Sequence, residues 1–308
     1  MRKSSVKSSI LLLIAAVVWG VSFVPQKAGM AYVEPFTYNG IRCLLGGAVL
    51  LPVIPALDRM RDKSEDFRRG SRRDILVGGI VCGAALFVAS SLQQFGIALQ
   101  DPSTNVGKAV FITTLYTVLV PILYRLLGKR SSGRIWLAAG IALAGFFLMS
   151  LMDGLLAGFG LSLGLSDFLL LLCAVVFSVH ILCIDRFSPL ADGVRLSCVQ
   201  FFVCGLLSLP CMFLFEHPDA RAIWSCWTAI MYSGVMSCGV AYTLQVVGQK
   251  GVHPAVASLL LSLESVFSVL AGYALTPGAS LSVWELFGCA LVFAAVVLVE
   301  LAPSKEKI

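Results

Sequence analysis

Ten long apolar runs, joined by short loops, fill almost the whole chain and leave it few ways to fold. They are expected at Ser8–Met30, Pro35–Leu57, Ile75–Leu99, Asn105–Leu127 and Arg134–Leu151, then Leu165–Arg186, Val194–Phe215, Trp224–Gly248, Pro254–Leu275 and Leu281–Leu301. A helix needs about 20 apolar residues to cross a bilayer core, and each run is long enough. In hydrocarbon the backbone must satisfy its own hydrogen bonds, so runs of this length fold as helices. The composition agrees: 58% hydrophobic and 13% charged residues, with mean hydropathy +0.90. A soluble domain would carry about twice that share of charge. The sequence predicts an all-α integral membrane protein of ten transmembrane helices.

The net charge of +6 does not mark a nucleic-acid binder. The basic residues lie in short loops, and alternate loops differ sharply. One set holds Arg2, Lys3, Lys7, the run Arg59–Arg73, Arg125, Lys129, Arg130, Arg134, Arg186, Arg195, Lys250, Lys305 and Lys307; the other holds Arg221. Positive loops stay cytoplasmic, so both termini are expected inside, in a bacterial cytoplasmic membrane. Contact with anionic lipid headgroups accounts for the basic loop. The start, MRKSSVKSS followed by an apolar run, has a signal peptide's charged and hydrophobic parts. It runs on into Pro25, Gln26 and Lys27 without a small-residue cleavage site, and a retained first helix is expected. Most of the ten cysteines lie inside apolar runs and none forms a CxxC pair, so they read as small core residues rather than a metal site.

The chain is also internally repeated. Ala16–Phe23 (AVVWGVSF) matches Ala174–Ile181 (AVVFSVHI), and the same separation sets Arg42 against Gln200. Leu92–Gly96 matches Leu244–Gly248, and Trp136 and Gly140 match Trp284 and Gly288, in the same order. The two units are residues 8–151 and 165–301, with Met152–Gly164 joining them. Five spans is an odd number, so the second copy enters the membrane from the opposite side. Inverted repeats of this kind build carriers with a site near the midplane, exposed to each side in turn. A pseudo-symmetric pore or channel-like permease, or a facilitated exchanger, is the alternative, and behind it a membrane sensor or an intramembrane enzyme.

Within Pro254–Leu275 a helical wheel places Leu259, Leu260, Leu263, Val266, Phe267 and Leu270 on one arc, expected to face lipid. Ala257, Ser258, Ser262, Glu264, Ser265, Ser268, Ala271 and Gly272 lie on the other, expected to face protein. Glu264 sits in the middle of that small, polar arc, where an ionisable group is costly and points to function. Its plain alternative is a hydrogen-bonded acid that only joins helices. Lys27, Arg42 and Lys108 also fall inside apolar runs. Lys27 and Arg42 are near enough to the ends to snorkel. Lys108 shares a helical arc with Asn105, Ile112 and Tyr116, and is the stronger candidate.

These residues resemble the EamA-like families of the drug/metabolite transporter superfamily. The marks are AVVWGVSF in the first helix, the Arg42-bearing second helix, LQQFG in the third and Pro121 in the fourth. In the second half they are LQVVGQ in the eighth helix, SLLLSLESVFSVLAGYAL in the ninth and WELFGCALVF in the tenth. The resemblance implies two inverted five-helix repeats, a cavity lined by helices 1, 3, 4, 6, 8 and 9, and helices 5 and 10 at the periphery. It also implies export of a small metabolite, amino acid or drug-like compound. Two features depart from the family pattern. Glu264–Ser265 stands where the family often has Glu-Pro, which removes an expected kink. Gly128–Lys129 and Thr276–Pro277–Gly278 replace helix-end Gly-Glu pairs.

The candidate substrate-binding residues are Trp19, Ser22, Gln93, Asn105, Lys108, Tyr116, Phe177, His180, Gln245 and Glu264. Trp19 and Phe177 can stack on a flat substrate or simply pack. Gln93 and Gln245 can bond a substrate or link neighbouring helices. Lys108 would attract a carboxylate and Glu264 an ammonium group or a proton, a pairing that suits a zwitterion. Glu264 and His180 are the proton-carrier candidates. Three histidines and no HExxH, GxSxG or P-loop pattern argue against an enzyme, a bound metal, a cofactor or direct ATP coupling. The expected partners are a small-molecule substrate and the lipid bilayer.

Overall fold

The computed structural model describes residues 6–60, 70–100, 107–156, 164–275 and 280–301. Among them ten helices are long and apolar enough to cross a membrane. They are α1 (Val6–Gly29), α2 (Pro35–Met60), α3 (Arg72–Ala98), α4 (Gly107–Leu126) and α5 (Gly133–Met152, continuing to Leu156). The second five are α6 (Leu165–Phe187), α7 (Gly193–Phe215), α8 (Trp227–Gln249), α9 (Pro254–Leu275) and α10 (Val283–Glu300). The ends fall within a few residues of those expected, apart from two. α5 runs on past Leu151, and the run expected from Trp224 is divided. Asp219 caps a short helix over Ala220–Ser225, the chain turns at Cys226, and α8 starts at Trp227.

Short links at each end of the bundle fix which helix ends share a face. On one face Arg195, at the start of α7, pairs with Asp58, late in α2, at 2.6 Å. Gly70 and Ala191 form a backbone bridge there, and the Tyr124 and His253 rings, from the end of α4 and the residue before α9, meet at 4.7 Å. On the other face Glu216, just after α7, caps the start of α2, accepting from the Phe36 and Thr37 amides at 2.6 and 2.7 Å. Glu34 returns the favour at the His217 amide, 3.0 Å. Ser166 and Asp167, in the first turn of α6, reach Gly96 and Lys108.

The packing partners of the two halves correspond. α1 packs on α8 and α9; α6 packs on α3 and α4. α2 meets α8 as α3 meets α7, and α2·α7, α4·α9 and α5·α10 pair each helix with its own counterpart. The α5·α10 pair lies to one side, crossing where Gly145 and Gly288 face each other. A Cβ on Gly288 would come 2.5 Å from the Gly145 carbonyl oxygen.

α9 is more enclosed than its wheel implies. Leu259, Leu260 and Leu263 are buried, not lipid-facing; only towards its end do Leu270, Tyr273 and Leu275 come out. The reason is the neighbour they meet. Their arc packs into one apolar cluster with Ile135, Ala138 and Phe146 of α5 and Val292 and Ala295 of α10. Sequence marks a side chain as bulky and apolar but does not distinguish a protein neighbour from a lipid one.

Helices α4 and α9 are both interrupted near their middles, at matching places. In α4 the Leu115 amide bonds back only three residues, to the Ile112 carbonyl at 3.3 Å. In α9 the Leu263 amide does the same to Leu260, also at 3.3 Å. Hydroxyl side chains flank both turns and bond their own helix's carbonyls: Thr113 to Ala109 and Thr114 to Val110, Ser262 to Leu259 and Ser265 to Ser262. Such back-bonding competes with the backbone ladder and bends helices. α9 is therefore interrupted at Ser262–Leu263 even without a proline after Glu264. α8 departs from regular geometry over Tyr232–Tyr242, where the turns widen to π-helical spacing, a feature common at functional sites.

Candidate functional site

The two helix interruptions face one another, and the residue after each turn points across the gap. The Tyr116 hydroxyl, just past Leu115, donates to Glu264 Oε1, just past Leu263, at 2.9 Å. Both side chains are buried, Tyr116 4% and Glu264 6% exposed. Gly20 sets how deeply this pair sits. A Cβ there would lie 2.7 Å from the Glu264 carbonyl oxygen and 2.5 Å from Phe267 Cβ, so only glycine lets α1 lie this close to α9.

The pair lines a cavity between the two halves. Its walls are Trp19, Phe23 and Gln26 of α1, Arg42 of α2, Gln93 of α3, and Thr113 and Tyr116 of α4. The second half supplies Phe177 and Ile181 of α6, Ser237, Tyr242 and Gln245 of α8, and Leu261 and Glu264 of α9. Helices 1, 3, 4, 6, 8 and 9, implied by the family resemblance, all contribute, and α2 joins them through Arg42. About 40 Å³ is open to the centres of water molecules, room for a few waters at roughly 10–15 Å³ each.

Of the ten residues expected at a site, Trp19, Gln93, Tyr116, Phe177, Gln245 and Glu264 line this cavity. Trp19 meets the Tyr242 ring edge-on at 4.5 Å, and its Nε1 is buried without a hydrogen-bond partner among the described residues. Gln245 is 2% exposed, with its Oε1 likewise unpartnered. Ser22 lies behind the wall, accepting from Gln26 Nε2 at 3.2 Å. His180 is fully buried beside the wall, with Nε2 at 3.3 Å from Gln200 Oε1, and its ring packs against Phe177 and Tyr242. Lys108 lies at the bundle end, 2.8 Å from Asp167. Asn105 lies outside the described residues.

The arc expected to carry Asn105, Lys108, Ile112 and Tyr116 is divided by the turn at Leu115. Ile112 packs with Phe23, Ile97 and Leu170, whereas Tyr116 joins the cluster around α9. Arg42 departs from expectation in the other direction. It does not snorkel; it is 3% exposed and part of the cavity wall. Its Nε donates to Asn39 Oδ1 at 3.1 Å and its NH1 to Gln26 Oε1 at 3.0 Å, and its guanidinium lies over the Tyr38 ring. Gln26 and Tyr242 were legible by spacing alone. Gln26 follows Trp19 and Phe23 on one helical stripe, and Tyr242 sits three residues before Gln245.

A bundle of ten spans enclosing a polar chamber at an interrupted-helix pair is the architecture of a multi-pass membrane transporter. Comparison with known proteins agrees. The model of the EamA-like transporter family matches the chain twice, over residues 6–151 and 164–301, and the chain belongs to that family. An uncharacterized transporter of Archaeoglobus fulgidus is 28% identical over 94% of this chain and 84% of its own length. The uncharacterized transporter YwfM of Bacillus subtilis is 24% identical, covering 97% and 95%. A solved crystal structure of a protein superposes with a TM-score of 0.73, covering 94% of this chain and 95% of that one; at 21% identity it speaks for the fold alone.

Proposed function

We infer that the protein is a secondary carrier that moves a small metabolite, amino acid or drug-like compound across the cytoplasmic membrane by alternating access. The observation that carries this reading is the pair of facing interruptions in α4 and α9, joined by Tyr116 and Glu264 at the wall of a chamber built from both halves. Interrupted helices at mid-depth are where carriers place substrate groups, because freed backbone and side-chain donors face a cavity rather than lipid. The halves act as inverted repeats that rock against each other, an idea supported by their interchangeable packing partners. The chamber holds only a few waters, whereas sites for small organic ligands span roughly 300–1,000 Å³. Rocking about the two turns widens it on one side at a time. The uneven loop charge supports cytoplasmic termini, and export is the direction implied by the family resemblance.

Glu264 is the proton carrier in this scheme. It lines the cavity, and among the described residues its side-chain hydrogen-bond partner is the neutral Tyr116 hydroxyl. His180 stands behind the wall and serves packing instead. The test is counterflow in proteoliposomes, with unlabelled metabolite pools inside and labelled compounds outside. Saturable exchange is expected, with a pH dependence that flattens in Glu264→Gln. Non-saturable flux would favour a pore, and an unchanged pH profile would take Glu264 out of coupling.

A further inference from the structure

Arg42 is a charge without a counter-charge. A guanidinium stays ionised in proteins, and inside a bundle it is costly unless another charge answers it. Here it is 3% exposed, and its neighbours are the neutral groups Asn39, Gln26 and Tyr38. Among the described residues no carboxylate pairs with it. Glu264 lines the same cavity, but its Oε1 accepts from Tyr116.

The other half of the molecule shows that the fold does not need a cation at this place. The repeat sets Gln200 against Arg42, and Gln200 is fully buried beside His180 at 3.3 Å. A neutral amide fills the equivalent position between the same kinds of helices. What distinguishes Arg42 is that it opens on the cavity, which Gln200 does not.

We propose that Arg42 is the anchor for a carboxylate on the transported compound, making the cavity a site for small monocarboxylates with an apolar body. The guanidinium fork matches a carboxylate in plane and spacing. One fixed cation and one titratable acid allow the walls a net charge of at most +1, which suits a monoanion or, with Glu264 ionised, a zwitterion, and leaves a phosphate dianion undercompensated. Trp19, Phe177 and Leu261 supply the apolar wall. The unpartnered Trp19 Nε1 and Gln245 Oε1 offer a donor and an acceptor for further polar groups. This assignment rests on the carrier reading for its transport arm, and on the cavity alone for its binding arm.

The binding arm uses thermal unfolding of the purified full-length protein with 3-phenylpropionate, 4-methylpentanoate, phenylalanine, 3-phenylpropionamide, phenethylamine or inorganic phosphate. At least one carboxylate is expected to raise the melting temperature saturably, while the amide, the amine and phosphate do not. Arg42→Gln should weaken that response at least tenfold, and Arg42→Lys should restore part of it. No response to any carboxylate, an equal response to the amide, or an undiminished response in Arg42→Gln each overturns the assignment. Should Arg42→Gln not fold, the contrast between acid and amide in the wild-type protein decides. The transport arm is counterflow of the same compounds. Arg42-dependent carboxylate binding without counterflow keeps the anion site and removes the carrier reading. Saturable amine counterflow indifferent to Arg42 does the reverse.

Discussion

Ser22, Gln26 and Arg42 form a hydrogen-bonded run beside the cavity in the first half of the molecule; the repeat places His180, Ile184 and Gln200 at the matching positions in the second. The first run ends in a cation on the cavity wall, and the second stops at an amide behind it. A similar exchange occurs at the interrupted helices. Matching turns at Leu115 and Leu263 are followed by Tyr116 on one side and Glu264 on the other. α3 keeps regular turns where its counterpart α8 widens around Ser237 and Tyr242. The packing partners thus correspond between the two halves, and their chemistry does not. Symmetric packing sets where the halves meet, and the asymmetric side chains set what the meeting place attracts.

The largest effect should come from forcing the halves to match. Gln200→Arg would place a second guanidinium at a fully buried site that does not reach the cavity, beside His180. Stranding a buried charge costs several kcal/mol. Thermal unfolding should show far greater destabilisation than Arg42→Gln produces. Equal tolerance of both changes would mean that the two positions share one environment, and the contrast drawn between them would fail.

A smaller effect separates the two helix crossings next to the site. Gly20 and Ser178 occupy matching positions on α1 and α6. Gly20→Ala must push α1 off α9, since its Cβ meets Phe267 and the Glu264 carbonyl. Overpacking of this kind costs about 1–3 kcal/mol, offset in part by the gain of up to about 1 kcal/mol from removing a helical glycine. Ser178 already carries a Cβ, and its hydroxyl bonds its own helix, at the Ala174 carbonyl. Ser178→Ala should therefore be close to neutral in the same unfolding measurement. A larger loss at Ser178 would place the tighter crossing in the second half instead.

The ten helices were legible because a bilayer sets their length, and apolar runs of that length admit few readings. Six cavity residues were legible because the repeat singled out matched polar and aromatic positions in otherwise apolar helices. The central position of α9 was not legible, since Leu259 and Leu263 read the same against α5 and α10 as against acyl chains. Nor were the turns at Leu115 and Leu263, which have no proline or glycine at the break. They arise from hydroxyl back-bonds whose effect depends on geometry. Arg42 was misplaced because nearness to a helix end along the chain does not show whether the side chain's way to water is blocked by neighbouring helices.

Lys108 carries the smallest expected effect, and it separates charge at the bundle end from charge at the cavity. Read along an unbroken helix it shared a face with Tyr116. In the folded chain the turn at Leu115 intervenes, and Lys108 pairs with Asp167 at 2.8 Å, with side-chain exposures of 27% and 7%. Asp167 also accepts from the Gly164 amide at the start of α6. Removing the lysine leaves that cap in place and loses the partly buried ion pair with Asp167, a loss on the order of 1 kcal/mol with the cap retained. Lys108→Ala should therefore lower the melting temperature slightly and leave the ratio of carboxylate to amine counterflow unchanged, whereas Arg42→Gln should shift that ratio towards the amine. If Lys108→Ala shifted it equally, selection would occur at the entrance rather than in the chamber, and Arg42 would lose its distinction from the other intramembrane cations.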